Sequence, residues 1–107
     1  IALPSYKRYL MRARFAEVIL ATAPFKTAVA LARQDGVAIE QLTTGQPWLP
    51  PVPAATTNLA TLTVSQGIIT ATATPHASGD TYILAPNQDG TQWQVSGSCL
   101  KDQLCNP

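Results

Sequence analysis

Apolar positions in the first third of the chain repeat with a helical period. From Ser5 to about Gln34 the sequence is rich in Ala, Leu, Arg and Lys. It opens just after Pro4 and stops at Asp35-Gly36, so the pattern predicts one long helix. At 100° per residue, Val18, Ala21, Phe25, Ala28, Val29 and Ala32 share one face, suited to lie on a sheet. Ala16, Leu20, Ala23 and Leu31 fall on the opposite side, where the helix of a lone domain should be polar. Between Phe15 and Ala32 only Glu17, Thr22, Lys26 and Thr27 are polar, so this helix expects partners all round. A helix of that length would reach about 45 Å, too long to be buried inside so small a domain. Pro24 should bend the rod locally without ending it, because strong helix formers resume from Phe25 to Leu31.

The period changes after Gly36. Val37 to Thr57 reads as a loop, with Gly45 and the cluster Pro47-Trp48-Leu49-Pro50-Pro51-Val52-Pro53. Two readings of the cluster stand: a polyproline recognition segment, or an ordered surface loop anchored to a sheet by Trp48 and Leu49. From Leu59 the pattern alternates. Leu59, Leu62 and Val64 are apolar among Thr, Gln66-Gly67 makes a turn, and a strand from Ile68 to Thr74 follows. Its Thr70, Thr72 and Thr74 take one face, and Ile69, Ala71 and Ala73 the other. Pro75 and Ser78-Gly79-Asp80 end that strand. Thr81–Ala85 and Thr91–Val95 read as a further hairpin across Pro86-Asn87-Gln88-Asp89-Gly90. The predicted fold is α+β, one helix across one face of a four-stranded antiparallel meander, in a single domain.

Composition narrows the function. Of 107 residues, 46% are hydrophobic and 12% charged, which excludes a charge-driven disordered chain. No run of eighteen apolar residues occurs. The net charge of +1 offers no overall attraction for nucleic acid, so a nucleic-acid partner is not expected. Charge is nonetheless unevenly placed. Lys7, Arg8, Arg12, Arg14, Lys26 and Arg33 share the first third with one acid, Glu17, whereas the remainder holds Lys101 and five acids. That polarity suits assembly of identical copies or an anionic surface near the N-terminus; a solvated basic helix face is the plain alternative. Catalysis is hard to build here. His76 stands alone after Pro75, and no nucleophile or acid pairs with it, so neither an enzyme nor a small-molecule substrate nor a cofactor is expected.

Cys99 and Cys105 lack the CxxC spacing of a redox or zinc site, and one His cannot complete a tetrahedral metal site with them. They read as a disulfide formed in an oxidising compartment, with two free thiols as the alternative. In the chain-entropy model a loop this short stabilises by roughly 2 to 2.5 kcal/mol.

Both ends of the chain resemble a known family. Ile1-Ala2-Leu3-Pro4-Ser5-Tyr6, followed by Tyr9, is similar to the Ala-Ile-Pro-x-Tyr run of bacterial type IV pilins of the type IVa class. There the membrane-inserting segment passes into the soluble helix. Pro24 matches a second proline that the family tolerates in the same helix. Thr91-Gln92-Trp93 and the Cys99–Cys105 loop resemble the last strand and the disulfide-bounded C-terminal region. Many pilins place the first half-cystine closer to that Trp; here the bridged loop is smaller.

The resemblance implies a pilin fold: residues 1–34 as helix, 35–57 as the variable loop, 58–96 as sheet and 97–107 as the disulfide-bounded region. It implies a structural subunit of a pilus used in adhesion, twitching motility or DNA uptake, with a minor or DNA-uptake pilin or a type II secretion pseudopilin as the alternative. The chain would then be a truncated, soluble ectodomain. Its partners would be further pilin subunits, the assembly machinery and, through the missing N-terminal segment, the inner membrane before display on the cell surface. Val18, Phe25, Val29 and Trp93 would form the helix–sheet core. Tyr6, Tyr9, Arg12, Arg14, Leu20 and Leu31 would serve filament assembly.

Overall fold

The computed structural model describes the backbone from Leu3 to Pro107 and the side chains from Tyr6 onward. Ile1 and Ala2, and with them the start of the N-terminal motif, lie outside the described residues. The predicted long helix stands as one rod in two segments, α1 (Leu3–Ala21) and α2 (Ala23–Gln34). The interruption is a single residue, Thr22, which keeps right-handed helical angles (φ −79°, ψ −17°). The local cause is Pro24, which has no N–H to give the Leu20 carbonyl. Thr22 instead closes a tighter turn, its N–H and its Oγ1 both donating to the Ile19 carbonyl at 3.1 and 2.6 Å. Helical bonding then resumes onto the Thr22 carbonyl. The rod also begins at Leu3 and not Ser5, because a proline in the first turn needs no N–H partner.

After the rod, Val37 to Asn58 runs as a loop holding one short 3₁₀ turn, Ile39–Gln41. It borders the first strand: the Thr44 N–H donates to the Val64 carbonyl and the Thr56 N–H to the Leu59 carbonyl. Leu49 is buried, but Trp48 is 46% exposed, so Leu49 alone anchors the proline cluster. Four strands follow, β1 (Leu59–Ser65), β2 (Ile68–Ala73), β3 (Thr81–Pro86) and β4 (Trp93–Ser96). They pair antiparallel in the order β1-β2-β3-β4, a meander with β1 and β4 at its edges. A register shift between Leu59 and Thr61 places both Leu59 and Leu62 inward although they are three apart. Thr74 falls outside β2, which ends at Ala73 before the 3₁₀ turn Pro75–Ala77.

The inward face of the sheet (Leu59, Leu62, Val64, Ile69, Ala71, Tyr82 and Leu84) meets Phe15, Val18, Phe25 and Val29 of the rod in one core. The C-terminal loop adds Cys99, Leu104 and Cys105 to that core. Gly97 carries the chain from β4 into this loop at φ +112°, where a Cβ would run into the Thr81 carbonyl oxygen.

Candidate assembly surfaces

Each face of the rod has a different fate. Val18 and Val29 are fully buried and Phe25 is nearly so. Phe15 is also fully buried, a core residue outside the predicted sheet-facing stripe although it precedes Val18 by one helical turn. On the other side Ala16, Leu20, Ala23 and Leu31 are all exposed, Leu20 at 70% and Leu31 at 56%. Tyr6, Tyr9 and Arg12 are exposed too, Tyr9 at 68%. Arg14 differs from its neighbours: it is half-buried, and its Nη1 donates to the His76 carbonyl at 3.1 Å. It therefore ties α1 to the Pro75–Ala77 turn of its own chain. His76 itself is exposed.

Trp93 packs against the helix–sheet core from β4 and is half-buried there. The Lys26 ammonium sits 5.9 Å from its ring centroid, a cation–π distance. Trp93 and Lys26 border an open hollow between α2 and the β3–β4 turn, with Ala23, Ala30, Leu31 and Gly90 around it. The rim is held by Arg33, whose Nε donates to the Gln88 carbonyl at 2.8 Å and whose Nη1 donates to the Val37 carbonyl at 2.6 Å. Within the turn the Thr91 hydroxyl and N–H donate to Asp89 Oδ1 at 2.6 and 3.2 Å, which holds the Asp89 pKa below its ordinary value.

At the far edge of the sheet, Glu17 on α1 accepts from the Thr56 hydroxyl at 2.7 Å and the Asn58 amide at 3.3 Å. These bonds dock the end of the long loop onto the rod. The C-terminal loop is closed by the Cys99–Cys105 disulfide, with Cα atoms 5.5 Å apart. Beside it, Asp80 is buried at the start of β3. Burial works against its charge, but the polar groups of Ser98, Asp102 and Ser78 around it outweigh that, aided by Lys101, and its pKa falls. Asp102 faces the Asp80 carboxyl, so its pKa rises. Among the described residues there is no cluster of three or more metal-ligating side chains.

The chemistry offered is thus that of surfaces: an apolar helix face, an aromatic hollow and a pinned terminal loop. Comparison with known proteins agrees with that picture. No curated protein matches the sequence. The solution NMR structure of the major type IV pilin PpdD from enterohemorrhagic Escherichia coli has the same fold. It matches with a TM-score of 0.70 and 21% identity, over 91% of this chain and 79% of that one. The family model for pilin, a bacterial filament protein, matches residues 11–105. A match over nearly the whole helix-and-sheet unit identifies the chain as a member of the pilin family, whose proteins are filament subunits and not enzymes.

Proposed function

We infer that this chain is a structural subunit of a type IV pilus, a homopolymer displayed on the cell surface. The observation that carries the reading is the outward face of the rod. Ala16, Leu20, Ala23 and Leu31 form an apolar stripe that the chain's own sheet leaves uncovered. An apolar stripe of this kind on a long helix is stable in water only at some cost and gains by meeting a like stripe on another copy. Small Ala positions between the leucines allow helices to approach closely. In the filament, each subunit's rod would pack among those of its neighbours, leaving the sheet and the two loops toward the outside.

Electron microscopy of cells expressing the Leu20→Ser variant tests this reading. Filaments should be lost or sharply reduced while the subunit still accumulates in the cell. Normal filament numbers would remove the helix face from assembly.

A further inference from the structure

The two halves of the C-terminal disulfide are not equally enclosed. Cys99 is fully buried, whereas Cys105 is 7% exposed and lines two hollows beside the bridged loop. The first, of about 310 Å³, lies between α1 and the loop, with Tyr82 and Leu104 in its wall. The second, of about 530 Å³, runs along the loop itself. Both volumes are in the range in which proteins seat small molecules. Cys99 lines neither hollow. Arg12 on α1 borders both and, among the described residues, is the only charged side chain that lines either. Lys101 and Asp102 on the bridged loop are exposed, opposite in charge and outside both hollows. Burial pushes the pKa of the Tyr82 phenol up, so this wall stays neutral in mild alkali and does not repel an anion.

A disulfide is broken from whichever sulfur a thiolate can reach, and access and local charge set the rate. We propose that Cys105 Sγ is the entry point for thiol exchange on the folded subunit, and that Arg12 makes this site selective for thiols carrying a further negative charge. The thiolate sulfur bonds to Cys105 Sγ and the Cys99–Cys105 bond breaks. Its electron pair leaves on Cys99 Sγ, which takes a proton from water. The attacking thiol is thereby oxidised to a mixed disulfide and Cys99 is reduced to a thiol. Cys99 departs into the core, where a thiolate is disfavoured, so exchange is slow compared with that of an open chain. Arg12 takes no part in the bonds; its charge raises the concentration of anionic reagent at the approach to Cys105. Ala16 lines the first hollow and also belongs to the outer stripe of the rod. The inference therefore concerns a subunit before neighbours pack on it and does not rest on the filament reading.

A series of small thiols tests this on the isolated chain. In mild alkali, mercaptoethanesulfonate, mercaptoethanol and cysteamine carry an anionic, a neutral and a cationic group on thiols of similar size. Each rate on the folded chain is divided by the rate on the same chain unfolded in urea, which cancels the reagent's own reactivity. Early adducts are quenched in acid, free thiols are alkylated, and cleavage after Lys101 separates the two cysteines for mass spectrometry. The adduct is expected on Cys105, and the rate ratio should fall about tenfold from the anionic to the cationic thiol. Arg12→Gln should bring the three ratios within about twofold of one another, with the melting temperature unchanged and the adduct still on Cys105. An adduct on Cys99, or equal ratios in the parent chain, would overturn the proposal. Equal ratios with adducts on both cysteines would mean that exchange waits for the chain to unfold. A charge preference that survives in Arg12→Gln also overturns it, because another group would then set the selectivity.

Discussion

The inner and outer faces of the rod are both apolar and have opposite surroundings. Phe15, Val18, Phe25 and Val29 lie against the sheet, while Ala16, Leu20, Ala23 and Leu31 stay exposed. Hydrophobicity alone does not distinguish them. What distinguishes them is angular position, since a single sheet can cover only one side of a helix. A monomer needs one apolar face, and a second is a requirement imposed by something larger. The difference between the two faces is therefore the most direct physical mark of assembly in this molecule.

The strongest way to probe the comparison is from the inside. Phe15→Ala and Phe25→Ala should each destabilise the isolated chain by about 3 to 5 kcal/mol, through lost burial and the cavity left behind. Urea unfolding with an unchanged slope measures this. Phe15 is the sharper test, because it is fully buried and was not placed on the inner stripe by the sequence pattern. A loss below about 1 kcal/mol would mean that the inner face does not hold α1 to the sheet.

The C-terminal loop completes the inner-face core and gives two smaller effects. Replacing Cys99 and Cys105 together by Ala should cost about 2 kcal/mol by freeing the unfolded chain. Because Cys99 is fully buried, the loop should also detach from Leu104 outward, seen as new hydrogen exchange at the Leu104 amide, which donates to the Cys99 carbonyl at 2.9 Å. Asp102→Asn should act in the other direction. The folded pKa of Asp102 is raised by Asp80, so its charge costs stability at pH values above its ordinary 3.8 and nothing below. The variant should melt higher than the parent at pH 7, and the gap should close as pH falls through about 4. Asp80 behaves oppositely: its lowered pKa contributes stability that is lost in acid, so Asp80→Asn should melt lower at pH 7.

Much of this was legible in the residues, for reasons that differ by element. The rod shows because its period persists for many turns, and β2 shows because Ile69, Ala71 and Ala73 alternate cleanly with Thr. The break at Thr22 hides because Pro24 announces a lost hydrogen bond but not whether the helix bends or restarts. The bulge in β1 hides because it depends on how β2 pairs, which is not a local property. Trp48 and Leu49 both look like anchors, and only the path of the loop decides that Leu49 turns in. Trp93 packs against the core yet stays half-buried, a degree of cover set by its neighbours in space and not by strand composition. Arg12 and Arg14 look alike in sequence, yet the turn at Pro75–Ala77 claims only Arg14.

The smallest expected effect gives the cleanest separation of the two faces. Leu20 follows buried Val18 by two positions on the same helix and is 70% exposed. In the isolated chain Leu20→Ser removes little burial and exchanges one tolerable helix residue for another, so stability should change by no more than about 0.5 kcal/mol. Val18→Ser, with the same introduced side chain, places a hydroxyl among Phe15, Phe25 and the sheet and should cost several times as much. Measuring both by urea unfolding holds helix propensity nearly constant and leaves burial as the variable. Comparable losses from the two variants would mean that the chain wraps its own outer stripe, and the uncovered helix face would no longer argue for neighbouring copies. A neutral Leu20→Ser monomer that also fails to build filaments would place the whole of that residue's role in the assembled fibre.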